Sequence, residues 1–266
     1  MSSHYLFPPI PKIDLTNDVT LIIVTSPIQI HPSTKLIDNA IKGLQGHNFS
    51  CKIISYDKPK QNNVNYDKYK EIMKNKYPDF IHLELEQHGH FIGAFYNALA
   101  ICKTKYVFMN QHDIKLIGTF PIETIKNTLD NDCNIIFTHH KKKGLKPSHW
   151  FPIIENTKNQ DILKTWGWCE RIFITKTDFM INKIYQCYHK KPQPITVNFM
   201  DTIFFRQFKR LYRKTQNINT YKDINYENNK LVYDSYWEQW KPYCLKKSIC
   251  YHKHLCGRTI TKDNLK

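Results

Sequence analysis

The stretch VTLIIVT, from Val19 to Thr25, decides the fold of this 266-residue chain. It is an unbroken run of apolar and β-branched residues, the pattern of a strand that is buried on both faces. Such a strand lies inside a sheet that is covered by helices on both sides. The run therefore predicts a central strand of an α/β protein.

Strand-like and helix-like segments alternate from this run onward. We predict helices at 32–44 (ended by Gly46), 65–76 and 90–103, and strands at 51–56, 79–85 and 106–109. This alternation is typical of a mostly parallel, doubly wound sheet with helices on both faces. The predicted fold class is therefore α/β, with a Rossmann-like arrangement.

The second half of the chain has a less regular order of predicted strands, helices and loops. It predicts a strand at 135–138, a basic loop at 139–150, a strand at 171–175, helices at 177–188 and 202–212, and a strand-like tail at 250–258. Neither an internal repeat nor a long hydrophilic linker interrupts it. We expect a Pro-rich extended arm at 1–18 and one domain at 19–266, with a nucleotide-binding half at about 19–115 and an acceptor-binding half at about 116–266.

The formal net charge of +16 raises the question of a nucleic-acid partner. Arginine, the residue best suited to bidentate phosphate and base recognition, occurs only five times among the 39 basic residues. We therefore expect general affinity for polyanions but no specific nucleic acid. The Lys, Asn and Ile bias also fits an AT-rich genome, such as that of a large DNA virus.

The chain has no apolar run long enough for a transmembrane segment and no signal-peptide pattern at its start. The expected location is the cytoplasm, as a soluble protein (the host cytoplasm or the virion if the protein is virally encoded). The eight cysteines include no C-x-x-C pair. Reduced, buried thiols are therefore favoured over a zinc site or a disulfide framework.

Polar residues follow several predicted strands, where ligands of such sheets bind. These residues are Thr25-Ser26-Pro27, Asp57, and Gln111-His112-Asp113. Although they are far apart in sequence, we expect them to converge on one site. Plain alternatives remain, because an Asp at a strand end or before a helix can simply form a turn or cap the helix.

In order and spacing, these landmarks resemble the GT-A-fold glycosyltransferases, and most of all their inverting family 2-type enzymes. The exit at Thr25 to Pro27 resembles the nucleotide-binding edge, and the run from Gly89 to Asp113 resembles the approach to the Asp-x-Asp motif. Gly167 resembles the glycine loop, and Met200-Asp201 resembles the motif that carries the catalytic base. A histidine near the C-terminus completes the pattern.

The resemblance implies transfer of a sugar, with inversion, from a UDP- or GDP-type donor to a hydroxyl of a glycan or glycoconjugate. It implies that Asp201 is the general base, and that Asp113 and His254 hold Mn²⁺ or Mg²⁺, with His254 preferred to His252. The implied donor contacts are Thr25, Pro27, Asp57, Gln111 and Arg258. Hard oxygen ligands suit these cations, and a carboxylate suits proton removal from a hydroxyl.

Two departures from the family pattern keep an alternative open. Gln111 replaces the first acid of Asp-x-Asp, and Phe199-Met200 replaces the usual small or acidic residues before the base. The alternative is a catalytically silent GT-A-like module that binds glycans or polyanions. A nucleotidyltransferase would require a Gly-rich loop after the first strand, and the residues there, PIQIHP at 27–32, are not one.

Three further features have two interpretations each. The lysines at 141–143 can form a solvated loop or close over an anionic ligand. The tryptophans can stack on sugars or pack in the core; they are Trp166, Trp168, Trp237 and Trp240. Lys253, like Arg258, can offset diphosphate charge.

Overall fold

The structure is a computed structural model that describes residues 15–140, 153–156, 161–165, 172–189, 234, 237–245 and 249–255. The helices in these ranges are α1 (Lys35–Lys42), α2 (Val64–Lys76), α3 (His90–Ala100), α4 (Ile122–Asn131) and α5 (Thr177–His189). The strands are β1 (Thr16–Thr25), β2 (Cys51–Tyr56), β3 (Ile81–Glu84), β4 (Thr104–Gln111), β5 (Ile114–Gly118), β6 (Ile135–Phe137), β7 (His139–His140), β8 (Ile153–Asn156), β9 (Ile162–Thr165), β10 (Phe173–Lys176), β11 (Pro242–Leu245) and β12 (Cys250–His254).

Nine of the described strands form one large sheet, in the order β3-β2-β1-β4-β10-β6-β11-β9-β8. The strands β3, β2, β1 and β4 are mutually parallel, whereas β10 is antiparallel to both β4 and β6. Within this sheet β9 is the other reversed strand, since it pairs antiparallel with β11 and β8. The predicted α/β class with a mostly parallel central sheet is confirmed.

The alternating side chains of β1 separate two hydrophobic layers. Ile22 and Val24 belong to the cluster that includes α3 and α5. Leu21 and Ile23 belong to the cluster on the other face. Successive side chains of a strand point to opposite faces, so an apolar residue at every position requires cover on both sides. The VTLIIVT run is therefore buried from Val19 to Thr25.

The first half of the chain follows the predicted order of elements with shifted ends. The structure begins β1 at Thr16, inside the predicted arm, and begins α1 at Lys35 rather than at residue 32. Two elements of this half were not predicted: β5 continues from β4 through a turn at His112 and Asp113, and α4 follows it. Because only two residues separate β4 from β5, the sequence pattern there predicts one strand followed by a loop rather than two strands. In the second half β8, β9 and β11 were not predicted either, and β7 lies within the predicted basic loop.

A second, three-stranded sheet in the order β5-β12-β7 carries the C-terminal strand. The end of α1 packs closely on it: a Cβ atom added to Gly43 would lie 2.6 Å from the carbonyl oxygen of Leu116 in β5. Only glycine permits this approach. The small sheet is thus held beside the carboxyl end of β4, where β5 begins.

Trp237 and Trp240 are 9% and 1% exposed and lie in the two hydrophobic clusters, so packing describes them better than sugar stacking. In the described part of the chain Cys51, Cys102, Cys133 and Cys244 are free cysteines, and all but Cys51 are buried. None of the described helices combines the length and hydrophobicity needed to cross a bilayer.

Candidate functional site

The carboxyl ends of β1 and β4 form the switch point of the sheet. The chain runs from β1 outward to β2 and β3, then returns to the other side of β1 as β4. Helices and loops that leave β1 and β4 therefore diverge and open a crevice, which is where doubly wound sheets bind ligands. Thr25 ends β1 at this crevice and Gln111, which pairs with Val24, ends β4.

Backbone pairing brings most of the sequence-predicted site residues to this edge. Thr25 is aligned with Tyr56 in β2, so Asp57 follows directly beside it. The N–H of Asp57 donates to the carbonyl oxygen of Thr25 at 2.9 Å, and the N–H of His112 donates to that of Val24 at 3.1 Å. Gln111 and Pro27 are half-buried here. The structure thus brings Thr25, Pro27, Asp57, Gln111 and Asp113 to one edge of the sheet.

Two buried tyrosines of α2, Tyr66 and Tyr69, contact the end of β1. The hydroxyl of Tyr66 donates to the carbonyl oxygen of Thr25 at 3.3 Å, and the Tyr69 hydroxyl lies 3.3 Å from the Thr25 hydroxyl. The ring of His31 lies 4.0 Å from that of Tyr69, centroid to centroid. Because these groups are buried, their packing holds the backbone in one conformation where the chain leaves β1 at Thr25.

Asp57 is a buried carboxylate, only 3% exposed. Its Oδ1 accepts the N–H of Gly89 at 2.9 Å, and its Oδ2 lies 3.0 Å from Nδ1 of His88. Burial raises the pKa of Asp57 above its ordinary value, and the Gly89 N–H and His88 partly offset that rise. The bond to Gly89 joins the end of β2 to the residue that precedes α3.

His88 and His90 complete a cluster with Asp57. Nε2 of His88 lies 3.1 Å from Nε2 of His90, and a ligand atom from each of the three residues lies within 4.8 Å of the others. Neither histidine was predicted as a site residue. The only signal was the spacing His-Gly-His directly before a helix, which by itself is common in loops.

A small pocket of about 100 Å³ lies on the outer side of Asp57. It is bounded by the end of β2, the loop that follows, the start of α2 and the end of β3, and its lining includes Pro59, Asn62, Lys70 and Glu84. Lys70 is paired with Glu84 at 2.7 Å and with Asp67 at 2.9 Å. The pocket therefore offers amide and carboxylate groups beside a cation that is already paired.

Asp113 lies in the turn between β4 and β5 and is 5% exposed. Its carbonyl oxygen accepts the N–H of Leu255 at 2.7 Å, and His254 is aligned with Ile114 in the ladder between β12 and β5. The backbone of His254 thus lies next to the backbone of Asp113. The side chains of His252 and His254 lie outside the described residues.

Several predicted residues also lie outside the described part of the chain. They are the general base Asp201, the helix at 202–212, Arg258, Gly167, Trp166, Trp168 and the lysines at 141–143. Lys253 is described, and it is exposed on β12.

Comparisons with known proteins give a distant likeness only. No family model matches the chain, and neither does any curated protein. S. aureus TarS in complex with UDP matches 73% of this chain at 13% identity, with a TM-score of 0.43. The chain spans about half of that TarS structure, because the match covers 55% of it.

Two further structures match over more of their own length. A 4-diphosphocytidyl-2C-methyl-D-erythritol synthase from Anaerococcus prevotii matches at 12% identity and a TM-score of 0.46, covering 73% of this chain and 83% of that one. A Bacillus anthracis structure named for glucose-1-phosphate thymidylyltransferase matches at 11% and 0.44, covering 72% and 83%.

Proposed function

We propose that this protein is an inverting glycosyltransferase that uses a nucleotide-sugar donor. The observation that carries the proposal is the convergence of Thr25, Asp57, Gln111 and Asp113 at the switch point of the sheet. An α/β sheet of this kind binds nucleotides at that crevice. The polar side chains there include the amide of Gln111 and the carboxylates of Asp57 and Asp113, which suit a ligand rich in hydroxyl and N–H groups.

The donor is bound by residues of the first half of the chain together with Arg258. The buried carboxylate of Asp57 accepts hydrogen bonds from the nucleoside, while Thr25 and Pro27 shape the floor of the crevice. Gln111 can donate and accept through its amide, so it contacts ribose or water. Arg258 offsets the charge of the diphosphate as a bidentate donor.

The chemistry of Asp113 fits a divalent cation. It is a nearly buried carboxylate on a tight turn, and the adjoining strand β12 aligns His254 beside that turn. Asp113 and His254 would hold Mn²⁺ or Mg²⁺, and the bound cation would stabilise the charge of the leaving diphosphate. Gln111 adds no negative charge to this site, so we expect a weaker cation affinity than two acids would provide.

Asp201 is the proposed general base. Its carboxylate takes the proton of the acceptor hydroxyl as the acceptor oxygen bonds to the anomeric carbon, and the bond from that carbon to the diphosphate breaks. The nucleoside diphosphate leaves from the opposite face. A single displacement inverts the anomeric configuration and requires no covalent intermediate with the enzyme.

A catalytically silent binding module is the second candidate. Gln111 favours it, because a neutral amide at this position cannot act as a negative cation ligand. The excess of lysine would then serve to hold polyanionic glycans. The two candidates differ in whether nucleotide binding depends on a divalent cation and whether sugar is released from the donor.

A thermal-shift screen of the full chain tests the proposal. UDP-, GDP- and dTDP-sugars with Mn²⁺ should raise the melting temperature, since a ligand that binds the native state stabilises it. Free nucleoside diphosphate should then accumulate when the best donor is incubated with glycan acceptors or water. Absence of any shift at millimolar donor would refute the proposal, and a shift without turnover would favour the silent module. Release of pyrophosphate from a nucleoside triphosphate and a sugar phosphate would instead identify nucleotidyl transfer.

A further inference from the structure

We propose that His88 and His90, supported by Asp57, form a binding site for a Zn²⁺-class transition metal ion. This site is separate from the proposed Mn²⁺ or Mg²⁺ site at Asp113, and it does not rest on the glycosyltransferase proposal. It is built from residues on the segment between β3 and α3 and at the end of β2. Three features of its geometry support it.

The first feature is the hydrogen bonding of the His88 ring, which selects the tautomer of the neutral imidazole. Its Nδ1 lies 2.7 Å from the carbonyl oxygen of Lys58 and 3.0 Å from Oδ2 of Asp57. Both of these neighbours are hydrogen-bond acceptors, so Nδ1 carries the proton and donates it. In the neutral imidazole the lone pair is then on Nε2. A carboxylate or carbonyl that orients the far nitrogen in this way is the usual outer-shell partner of a metal-bound histidine.

The second feature is the separation of the two inner nitrogens. Nε2 of His88 and Nε2 of His90 are 3.1 Å apart. Two imidazoles bound to one tetrahedral Zn²⁺, at about 2.0–2.1 Å each, have their nitrogens about 3.3 Å apart. The two rings already have nearly this spacing, so binding an ion requires little rearrangement.

The third feature is the conformation that holds His90 in place. His90 has a φ of 51°, in the left-handed region that residues with a Cβ atom rarely adopt. The preceding residue, Gly89, is tied to Asp57 Oδ1 by its N–H at 2.9 Å. The same carboxylate thus holds both the His88 ring and the turn that orients His90. Strained residues of this kind concentrate at functional sites.

Charge is the main cost of the site, and Asp57 offsets it. His90 is the first residue of α3, and the positive end of a helix is unfavourable for a nearby cation. The buried carboxylate of Asp57 lies beside both histidines and provides the compensating negative charge. Two imidazole ligands favour Zn²⁺, Co²⁺ or Ni²⁺ over Mg²⁺, which prefers oxygen ligands. The remaining coordination positions are left for water or for an acidic group of a ligand.

A hydrogen bond from Nε2–H of His90 to Nε2 of His88 is the competing explanation for the short contact. It predicts a neutral pair that holds the loop and binds no metal. The two explanations differ in a direct binding measurement, which needs no catalytic activity.

The experiment uses the full chain after treatment with a chelator. Zn²⁺ affinity is measured by competition with a chromophoric chelator, and Co²⁺ is added as a spectroscopic probe of the coordinating atoms. We expect one equivalent of Zn²⁺ and visible Co²⁺ absorption bands. We expect His88→Gln and His90→Gln each to weaken binding by more than about tenfold, and Asp57→Asn to weaken it by about 10–100-fold. Excess Mg²⁺ should not displace the ion.

His47→Gln is the matched control. His47 is half-buried and accepts the N–H of Phe120 at 2.9 Å, but it lies in another loop. We expect the His47→Gln variant to bind Zn²⁺ with the same affinity as the unsubstituted chain. Circular dichroism melts establish that each variant is folded before its affinity is compared. Failure of the unsubstituted chain to bind Zn²⁺ or Co²⁺, or full affinity in the folded His88→Gln/His90→Gln double variant, would overturn the proposal.

Discussion

The N–H of Leu255 donates a hydrogen bond of 2.7 Å to the carbonyl oxygen of Asp113. This bond joins the C-terminal strand β12 to the turn that follows the central strand β4. It belongs to an antiparallel ladder in which His254 is aligned with Ile114. Residues from the two halves of the chain are thereby brought to one edge of the large sheet.

Asp113→Asn should weaken divalent-cation-dependent nucleotide binding. The amide keeps the shape of the side chain but removes the negative charge that a hard cation requires. Isothermal titration of the preferred nucleoside diphosphate, with and without Mn²⁺, measures the effect. Asp132→Asn, at an exposed helix end, is the control. An unchanged Mn²⁺ dependence in the folded Asp113→Asn variant would remove Asp113 from the metal site.

Asp201→Asn should lower the turnover number by about 10²–10⁴-fold, because the acceptor hydroxyl loses its proton acceptor. Donor affinity should stay nearly the same, since the base contacts the acceptor rather than the donor. Steady-state kinetics together with donor titration separate these effects. An equal loss of turnover and of donor binding would indicate a folding defect instead of a missing base.

Tyr66→Phe should destabilise the protein by about 0.5–1.5 kcal/mol and also weaken donor binding. It removes the hydroxyl that donates to Thr25 at the end of β1. Tyr106→Phe provides a matched control, because its hydroxyl donates to Asp130 of α4, near the start of β4 and away from the carboxyl ends of the strands. Urea unfolding and donor titration should show destabilisation in both variants but weaker binding only in Tyr66→Phe. Equal donor affinity in the two variants would argue that Tyr66 does not support the site.

His31 should make the protein lose stability as the pH falls. Burial lowers its pKa from 6.5 to about 4, so the unfolded chain takes up this proton at a higher pH than the native protein does. The contribution of His31 is complete above pH 6.5 and declines as the pH falls toward 4. The total is on the order of 3 kcal/mol at about 1.4 kcal/mol per pKa unit.

Urea unfolding of the unsubstituted chain and of His31→Gln, from pH 7.5 downward, tests this dependence. The difference in free energy of unfolding between the two should shift in favour of His31→Gln as the pH falls. Comparing the two proteins at each pH cancels the titration of all other groups that the substitution leaves unchanged. A difference that is constant across the range would show that the native imidazole titrates as it does in the unfolded chain.

Asp57 should have the opposite pH dependence. Its pKa is raised in the native state, so the native protein binds this proton more tightly than the unfolded chain does. Stability contributed by the protonated carboxyl is therefore present at low pH and lost as the pH rises from about 3.8 through the raised value. The stability of the unsubstituted chain relative to Asp57→Asn should fall over that window. A rise instead would mean that the hydrogen bonds from Gly89 and His88 outweigh burial.

The arrangement of the large sheet could be predicted from local patterns. The buried run at 19–25, and the alternation of strands and helices after it, depend only on side-chain periodicity within short segments. Strand ends in a parallel sheet share one edge, so the positions of Thr25, Asp57 and Gln111 also followed from sequence. The turn at Asp113 hid β5, because only two residues separate β5 from β4 and no sequence break divides their apolar patterns.

The sequence by itself determined the two-faced burial of β1 and the edge of the sheet at which the polar strand ends meet. The pairing of β5 with β12, the Leu255–Asp113 bond and the contact between His88 and His90 were decided only by the tertiary structure. These contacts join segments that are distant in sequence or depend on one backbone angle at His90. Periodicity reports which side of an element is buried, and it carries no information about which distant loop lies against that side.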